Sequence, residues 1–489
     1  MEFLAKRRYF LNQPHGFSAI FFTQMFSTIS FAVLYATLVL YMKQQLHFSS
    51  KEADLITGVY FACNFTLHLL SGYLGGRFFS YRALVVIGII FQLLACVVLA
   101  QGTVGSLYWG LSGMLVGTGT MVTCLNMLLS QLYSDPDKAK RQSGFLWNYS
   151  SMNFGFLFGF TLAGYFQIHI DYAMLFFITA ANNVLALIIL FTQWKFMQDK
   201  DTILTRVSRH AKIARFCGGL LIVFALIPAL NWFLRHTGFS DNLVLGVGVA
   251  VLIALLVIAF RDSGNARKKL LAFIILLLSA QIFWIVYQLA PMGLTLFAKD
   301  NVDRHVLGFL IAPGWIQNIN SIAIIIGAPL LGVLFVWVQR RKRLSLLPLQ
   351  YVSGLVLSAI GLLILPIGIA LGHNGYTAFQ WIFYTYVLQA IAELLISPIG
   401  YSMVGELVPL RWQSICMGST LLNSGVAAVL ASYFSNYALG SGESSNPLVT
   451  NPSYSHMFNQ LGWATMGVAA ILFLLVPVLN RLINGSASV

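Results

Sequence analysis

Glu393 is the residue from which chemistry can first be argued. It lies in QAIAELLISPIGYSMVGELVP, Gln389 to Pro409, inside an apolar run that opens near Phe379. A carboxylate at membrane depth is costly, so such residues usually face a cavity and mark the path of a substrate or an ion. Pro398 and Gly400 follow within two turns, and both loosen a helix at mid-span. The alternative is a protonated or paired Glu393 that only holds helices together. Upstream, QIFWIVYQLAPMGLTLFA (281–298) and GWIQNINSIAIIIGAP (314–329) bring Trp284, Tyr287, Gln288, Trp315, Gln317 and Asn320 into apolar runs. Aromatic faces beside amides suit a small ligand bearing an amine or amide. The competing reading is aromatic packing between helices. Asn423, in MGSTLLNSG, faces a similar choice, because Ser419, Ser424 and Gly425 permit close helix contact.

Polar side chains also interrupt the earlier runs: Gln24, Asn64, His68, Asn126, Asn148, Tyr149 and Asn153. Most intramembrane amides bond neighbouring helices at about 1 kcal/mol or less. Asn148, Tyr149 and Asn153 stand apart because they crowd one segment. His68 is able to titrate near neutral pH, although a lone histidine more often serves as a packing donor. The chain carries no H-E-x-x-H, no serine–histidine constellation and no carboxylate pair, so an intramembrane enzyme is not expected. It also has no G-x-x-x-x-G-K-[ST] loop for ATP. The five cysteines, Cys63, Cys96, Cys124, Cys217 and Cys416, fall in apolar runs without metal-ligand spacing, and read as small buried side chains. No metal and no cofactor is implied.

The elements that must position these residues follow from composition. The 489 residues are 58% hydrophobic and only 9% charged, and mean hydropathy is +0.79. No soluble protein of this length hides so much apolar surface. Spans of about 20 residues fall near 16–44, 53–76, 83–101, 106–133, 142–167 and 172–194. Two more lie near 216–235 and 242–260, between basic stretches. Six follow near 270–298, 313–339, 349–371, 378–406, 413–438 and 457–482. The pattern of six, two and six predicts an all-α polytopic membrane protein. An N-terminal bundle would occupy 1–194, linkers with two extra helices 195–269, and a C-terminal bundle 270–489. The run after Lys6, Arg7 and Arg8 is too long for a signal peptide and is expected to stay as the first span.

Net charge is +14, and its placement decides what it means. Lys6 to Arg8, Arg77, Arg82, Lys138 to Arg141, Lys195 to Arg215, Arg261 to Lys269, Arg340 to Arg343, Arg411 and Arg481 fall on one side. The other side receives Lys43, Lys51, Arg235, Lys299 and Arg304. This is the positive-inside bias, which places both termini in the cytoplasm. No basic patch is interleaved with exposed aromatics, so nucleic acid is not an expected partner. The bilayer and a small-molecule substrate are.

Two six-helix halves suggest a major facilitator fold, with substrate between bundles at mid-membrane. The pieces FWIVYQ, WIQNIN, AELLISPIGYSMVGELVP and MGSTLLNSG, with FLWNYSSMNFG (145–155), resemble the proton-dependent oligopeptide transporter family of that superfamily. The likeness runs over nearly the whole chain and includes the two extra central helices of many bacterial members. It implies a bacterial cytoplasmic (inner) membrane, a monomer, and alternating-access transport of di- or tripeptides or peptide-like amines. Glu393 matches the glutamate that engages the substrate amine, and Asn320 matches the asparagine beside it. Trp315 lies one turn before Asn320, while Asn153 and Tyr149 match pocket residues. With Trp284, Gln288, Asn423 and Gln24, these form the expected substrate site.

Departures from the family matter as much. Its E-x-x-E-R signature falls on Gln24-Met25-Phe26-Ser27-Thr28, its lysine on Val122 and its later acidic residue on Gln288, so every one of those charges is gone. The loop Gly72 to Arg77 resembles the superfamily's G-x-L-x-D-R, with Gly76 at the acidic position, which predicts a weakened charge latch. The chain therefore reads as a divergent member with altered proton coupling, Glu393 and His68 being the candidate groups if the proton is the coupling ion. A sensor that keeps the pocket without transporting is the alternative.

Overall fold

Inside a bilayer every backbone N–H and C=O must be satisfied within the chain, so apolar runs of this length become helices. The computed structural model describes residues 13–133, 138–339, 347–440 and 444–484. Lys6, Arg7, Arg8 and Arg340 to Arg343 of the basic clusters lie outside the described residues. The helices are α1 Phe17–Gln44, α2 Ser50–Leu74, α3 Tyr81–Leu99, α4 Val104–Gln131, α5 Lys138–His169 and α6 Tyr172–Thr192. After a single helical turn at Ile203–Arg206 come α7 Arg209–Arg235, α8 Thr237–Arg261, α9 Gly264–Gln288, the short α10 Gly293–Asp300, α11 Pro313–Gln339 and α12 Leu347–Ala370. The last three are α13 Phe379–Leu407, α14 Gln413–Ala438 and α15 Pro447–Asn484. Among the described residues 13 helical stretches are long and apolar enough to cross a membrane, with α9 and α10 taken as one. The remaining expected span is α5, whose polar residues lower its hydropathy. Among the described residues the strands are two residues long and lie in loops: β1 Val302–Asp303 pairs in parallel with β4 Thr377–Ala378, and β2 His305–Val306 forms a hairpin with β3 Phe309–Leu310.

Hydropathy orders the spans as 1–194, 195–269 and 270–489, whereas packing groups the residues as Met1–His47 with Cys63–His236 and Phe48–Ala62 with Thr237–Val489. In the first unit α3 packs along α4, and α1 against α5 and α6. The extra helix α7 joins this unit by leaning on α4, with Phe224 edge-on to Phe91 and Phe216 edge-on to Phe79. In the second unit α12 packs on α13 and α15, and α9 on α13, α14 and α15. The other extra helix, α8, lies against α9 and α14, where the Tyr433 hydroxyl donates to Asp241 Oδ2 at 3.1 Å. Phe273, Leu276, Phe283, Tyr351, Leu355, Ile396, Met403 and Leu472 form the core of this unit. The first half of α2 also belongs here: Ser435 donates to the buried Asp54, and a side chain at Gly58 would collide with Ser432 at 2.8 Å.

One turn answers a question the sequence raised. Gly76 adopts φ +73° and its N–H donates to Phe79 O at 2.7 Å, a left-handed conformation that suits glycine and strains an aspartate. A carboxylate arrives nonetheless, from elsewhere in the chain. Asp199 accepts the Tyr81 N–H at 3.1 and 3.0 Å, at the N-terminus of α3, where a negative charge is favoured. Beside it Arg82 stacks on Trp194 at 4.4 Å, and Leu204 N donates to Gly76 O at 2.9 Å. The basic stretch after α6 is thereby fastened to the α2–α3 turn. Burial pushes the Asp199 carboxyl above its ordinary value, against the opposing pull of the Tyr81 N–H bond and nearby Arg82.

The cysteines are all free, and the expectation that all are buried needs correction. Cys96, Cys124 and Cys416 are buried, Cys63 is half-buried, and Cys217 is exposed. Cys217 sits on α7, a helix flanking the bundle, so much of its apolar surface is left to the bilayer rather than to protein.

Candidate functional site

A carboxylate enclosed by helices must find donors, and in the second unit Glu393 finds them on two other helices. It projects from α13, and Asn320 Nδ2 of α11 donates to Glu393 Oε2 at 3.2 Å. The Tyr287 hydroxyl of α9 is a further hydrogen-bond donor to the same carboxylate. Trp284, one turn earlier on α9, meets the Tyr287 ring edge-on at 5.5 Å. Among the described residues no Lys, Arg or His forms an ion pair with Glu393. Neutral donors hold the acid in place, and no cation among the described residues stands against it.

The helices that carry this cluster are locally weakened. Pro398 stands inside α13 and Pro329 inside α11. A proline removes the hydrogen bond to the carbonyl four residues back, which here frees Leu394 and Ile325. Leu394, whose carbonyl loses the N–H that position 398 would otherwise supply, directly follows Glu393.

Of the other residues expected at the site, Asn423 and Gln317 also bond neighbouring segments. Asn423 Nδ2 donates to Leu277 O of α9 at 3.3 Å. Gln281, with its amide oxygen taking the Ala427 N–H at 3.1 Å, donates in turn to Asn423 Oδ1. Asn423 is thus engaged in binding α14 to α9, and Gln281 is a partner that apolar periodicity did not flag. Gln317 gives its Nε2 to Ala290 O at 2.9 Å and to Thr295 Oγ1 at 3.3 Å. Trp315 is half-buried near the start of α11. Gln288 is fully buried, and neither atom of its amide has a partner.

The first unit holds only neutral polar groups among its expected site residues. Gln24 is buried and donates to Thr28 Oγ1 at 3.2 Å, one turn along its own helix. Its Oε1 has no partner. Asn153 Nδ2 donates to Tyr149 O at 3.0 Å, again within one helix, while the Tyr149 ring is exposed. Asn148 reaches across to Asn126 Oδ1 at 3.3 Å, and Asn64 accepts from Thr118 at 2.7 Å. His68 has its ring edge-on to Phe65, and its Nε2 is buried without a partner. Among the described residues no three His, Cys, Asp or Glu side chains converge as a metal site.

Comparison with known proteins places this arrangement. Residues 78–444 match the family described as PTR2, POT family. The dipeptide and tripeptide permease A of Cronobacter turicensis is 27% identical over 474 residues, covering 96% of this chain and 94% of its own. A mutant of the peptide transporter POT in complex with alafosfalin superimposes with a TM-score of 0.84 at 22% identity, covering 96% of both chains. A protein described as tetrameric PepTSo2 gives a TM-score of 0.84 at 22% identity, covering 96% of this chain and 99% of its own. The fold is the major facilitator fold of such transporters.

Proposed function

Since the chain belongs to the POT family, we propose that it carries di- or tripeptides, or peptide-like amines, across a bacterial inner membrane by alternating access. Glu393 receives the substrate ammonium. The observation that carries this reading is an acid that meets the neutral donors Asn320 and Tyr287 and, among the described residues, no cation. A substrate ammonium brings the missing positive charge and up to three N–H donors, and a charge-assisted bond in a partly dry site is about twice as strong as a neutral one. Trp284 and the Tyr287 ring offer aromatic faces beside it.

The absence of charge at Gln24, Thr28, Val122 and Gln288 leaves the pocket an amine-binding end without a cationic clamp. Preferred substrates are therefore amines that lack a terminal carboxylate, or peptides held by polar groups alone. Competition against a labelled substrate tests this. Decarboxylated dipeptide analogues should compete at least as well as the parent zwitterions, and full competition by the zwitterions alone would refute it. Proton coupling, where present, runs through Glu393 or His68. The same lost charges favour one other reading, a sensor that binds without moving its ligand. Binding without flux in reconstituted vesicles would decide for the sensor. The chain acts as a monomer with both termini cytoplasmic, which mass photometry and terminal accessibility labelling would check.

A further inference from the structure

At one end of the second unit two adjoining hollows, of about 570 Å³ and 470 Å³, share Pro452 and His456, the first lined by Lys51 and the end of α14 as well as by α15, the second by α15 alone. Their level in the membrane can be read from the chain. Helix α15 has 38 residues and rises about 57 Å, well beyond a hydrocarbon core of about 30 Å. Its strongly apolar part begins near residue 457, so His456 stands where the helix enters the bilayer. Lys51 is the second residue of α2, and Asn436 and Tyr437 lie in the last turn of α14. All four mark the same boundary. Trp463, two turns further along α15, is 64% exposed, as expected of an interfacial anchor.

The groups in the groove are complementary to one kind of head group. Lys51 contributes a cation, and it forms no ion pair among the described residues. Asn436 contributes an acceptor, because its Oδ1 is buried and has no donor. The Tyr437 ring is exposed beside it, and its hydroxyl is held by His456 Nδ1 at 3.1 Å. A ligand that satisfies all three carries an anion, an N–H-bearing cation and enough length to join them. We infer that this groove binds a phospholipid with a phosphoethanolamine head group, phosphate on Lys51 and ammonium on Asn436 Oδ1 against the Tyr437 ring. Phosphocholine has no N–H for Asn436, and phosphoglycerol has no cation for the ring. The acyl chains lie along the exposed face of α15 past Trp463.

Native mass spectrometry of the full chain in detergent tests this directly. The protein is titrated with phosphatidylethanolamine, phosphatidylcholine and phosphatidylglycerol of identical acyl chains, and separately with water-soluble glycerophosphoethanolamine. Phosphatidylethanolamine should half-saturate at the lowest concentration. Lys51→Gln, which removes the partner of a phosphate common to all three lipids, should raise the half-saturating concentration of each, that of phosphatidylethanolamine about tenfold, whereas Asn436→Leu should raise that of phosphatidylethanolamine alone about tenfold, the scale of one lost charge-assisted bond. Lys51→Ala supplies a second truncation at a half-buried residue with no ion pair to lose. Equal retention of the three lipids, or wild-type retention in these variants, overturns the assignment. So does displacement of the lipid by the soluble head group at equal concentration, which would mark a site for a free metabolite.

Discussion

The two units hold the polar residues expected at the site in different ways. In the second, one acid draws donors from two other helices, because no single turn can supply what a carboxylate needs. In the first, Gln24 and Asn153 spend their amides within their own helices, and Asn148 pairs with another neutral amide. At these positions an amide is met by its own helix or by one other amide, whereas the acid takes donors from two other helices. Substrate affinity should accordingly be concentrated in the second unit, with the first contributing shape more than energy.

The sharpest way to break that contrast is Glu393→Gln. It keeps the shape and the bond to Asn320 but removes the charge, and should weaken binding of an amine substrate by roughly 10- to 100-fold, as for a lost charge-assisted bond. Isothermal titration against an amine and its N-acetylated form would read it, and the acetylated form should be indifferent. Next comes a matched pair, Asn320→Leu and Asn153→Leu. The first leaves Glu393 short of a donor and should cost about tenfold in affinity, while the second should cost about threefold or less. Equal losses would erase the distinction between the units. Asn423→Leu should act on stability rather than affinity, lowering it by about 1 kcal/mol through loss of an interhelical bond, as measured by thermal unfolding in detergent.

The smallest effect concerns the latch at the α2–α3 turn. Asp199 titrates higher in the folded protein than in the unfolded chain, so its contribution to stability is present below the unfolded value of about 3.9. It is lost as pH rises through the folded value. Asp199→Asn removes this dependence. The melting temperature of the wild type should therefore fall relative to that of the variant by roughly 1 °C as pH rises from 4 to 7. A difference that grows in the opposite direction would mean that the N-terminal position on α3 outweighs burial.

Much of the framework was legible because hydropathy is local. Every expected span is a helix, since twenty apolar residues in a bilayer have no other way to satisfy their backbone. Glu393 was legible for the related reason that a charge inside such a run is conspicuous. The work of Asn423 was not, because packing and binding both want an amide on a small-residue helix face, and only the position of Leu277 and Gln281 separates them. Asp199 was equally hidden. It caps a helix 118 residues away in sequence, and nothing in the basic stretch around it distinguishes a docked carboxylate from a solvated one.

The amino-acid sequence alone determined that this is a membrane-spanning bundle, where its helices run and which of them holds an isolated acid. These are properties of short windows of chain in contact with lipid. Tertiary structure decided which donors stand beside that acid, which backbone carbonyls Asn423 and Gln317 bond, that α7 and α8 pack with different units, and that Lys51 and Asn436 share one groove. Each depends on a contact between residues far apart in the chain, set by how side chains fit together after the helices have formed.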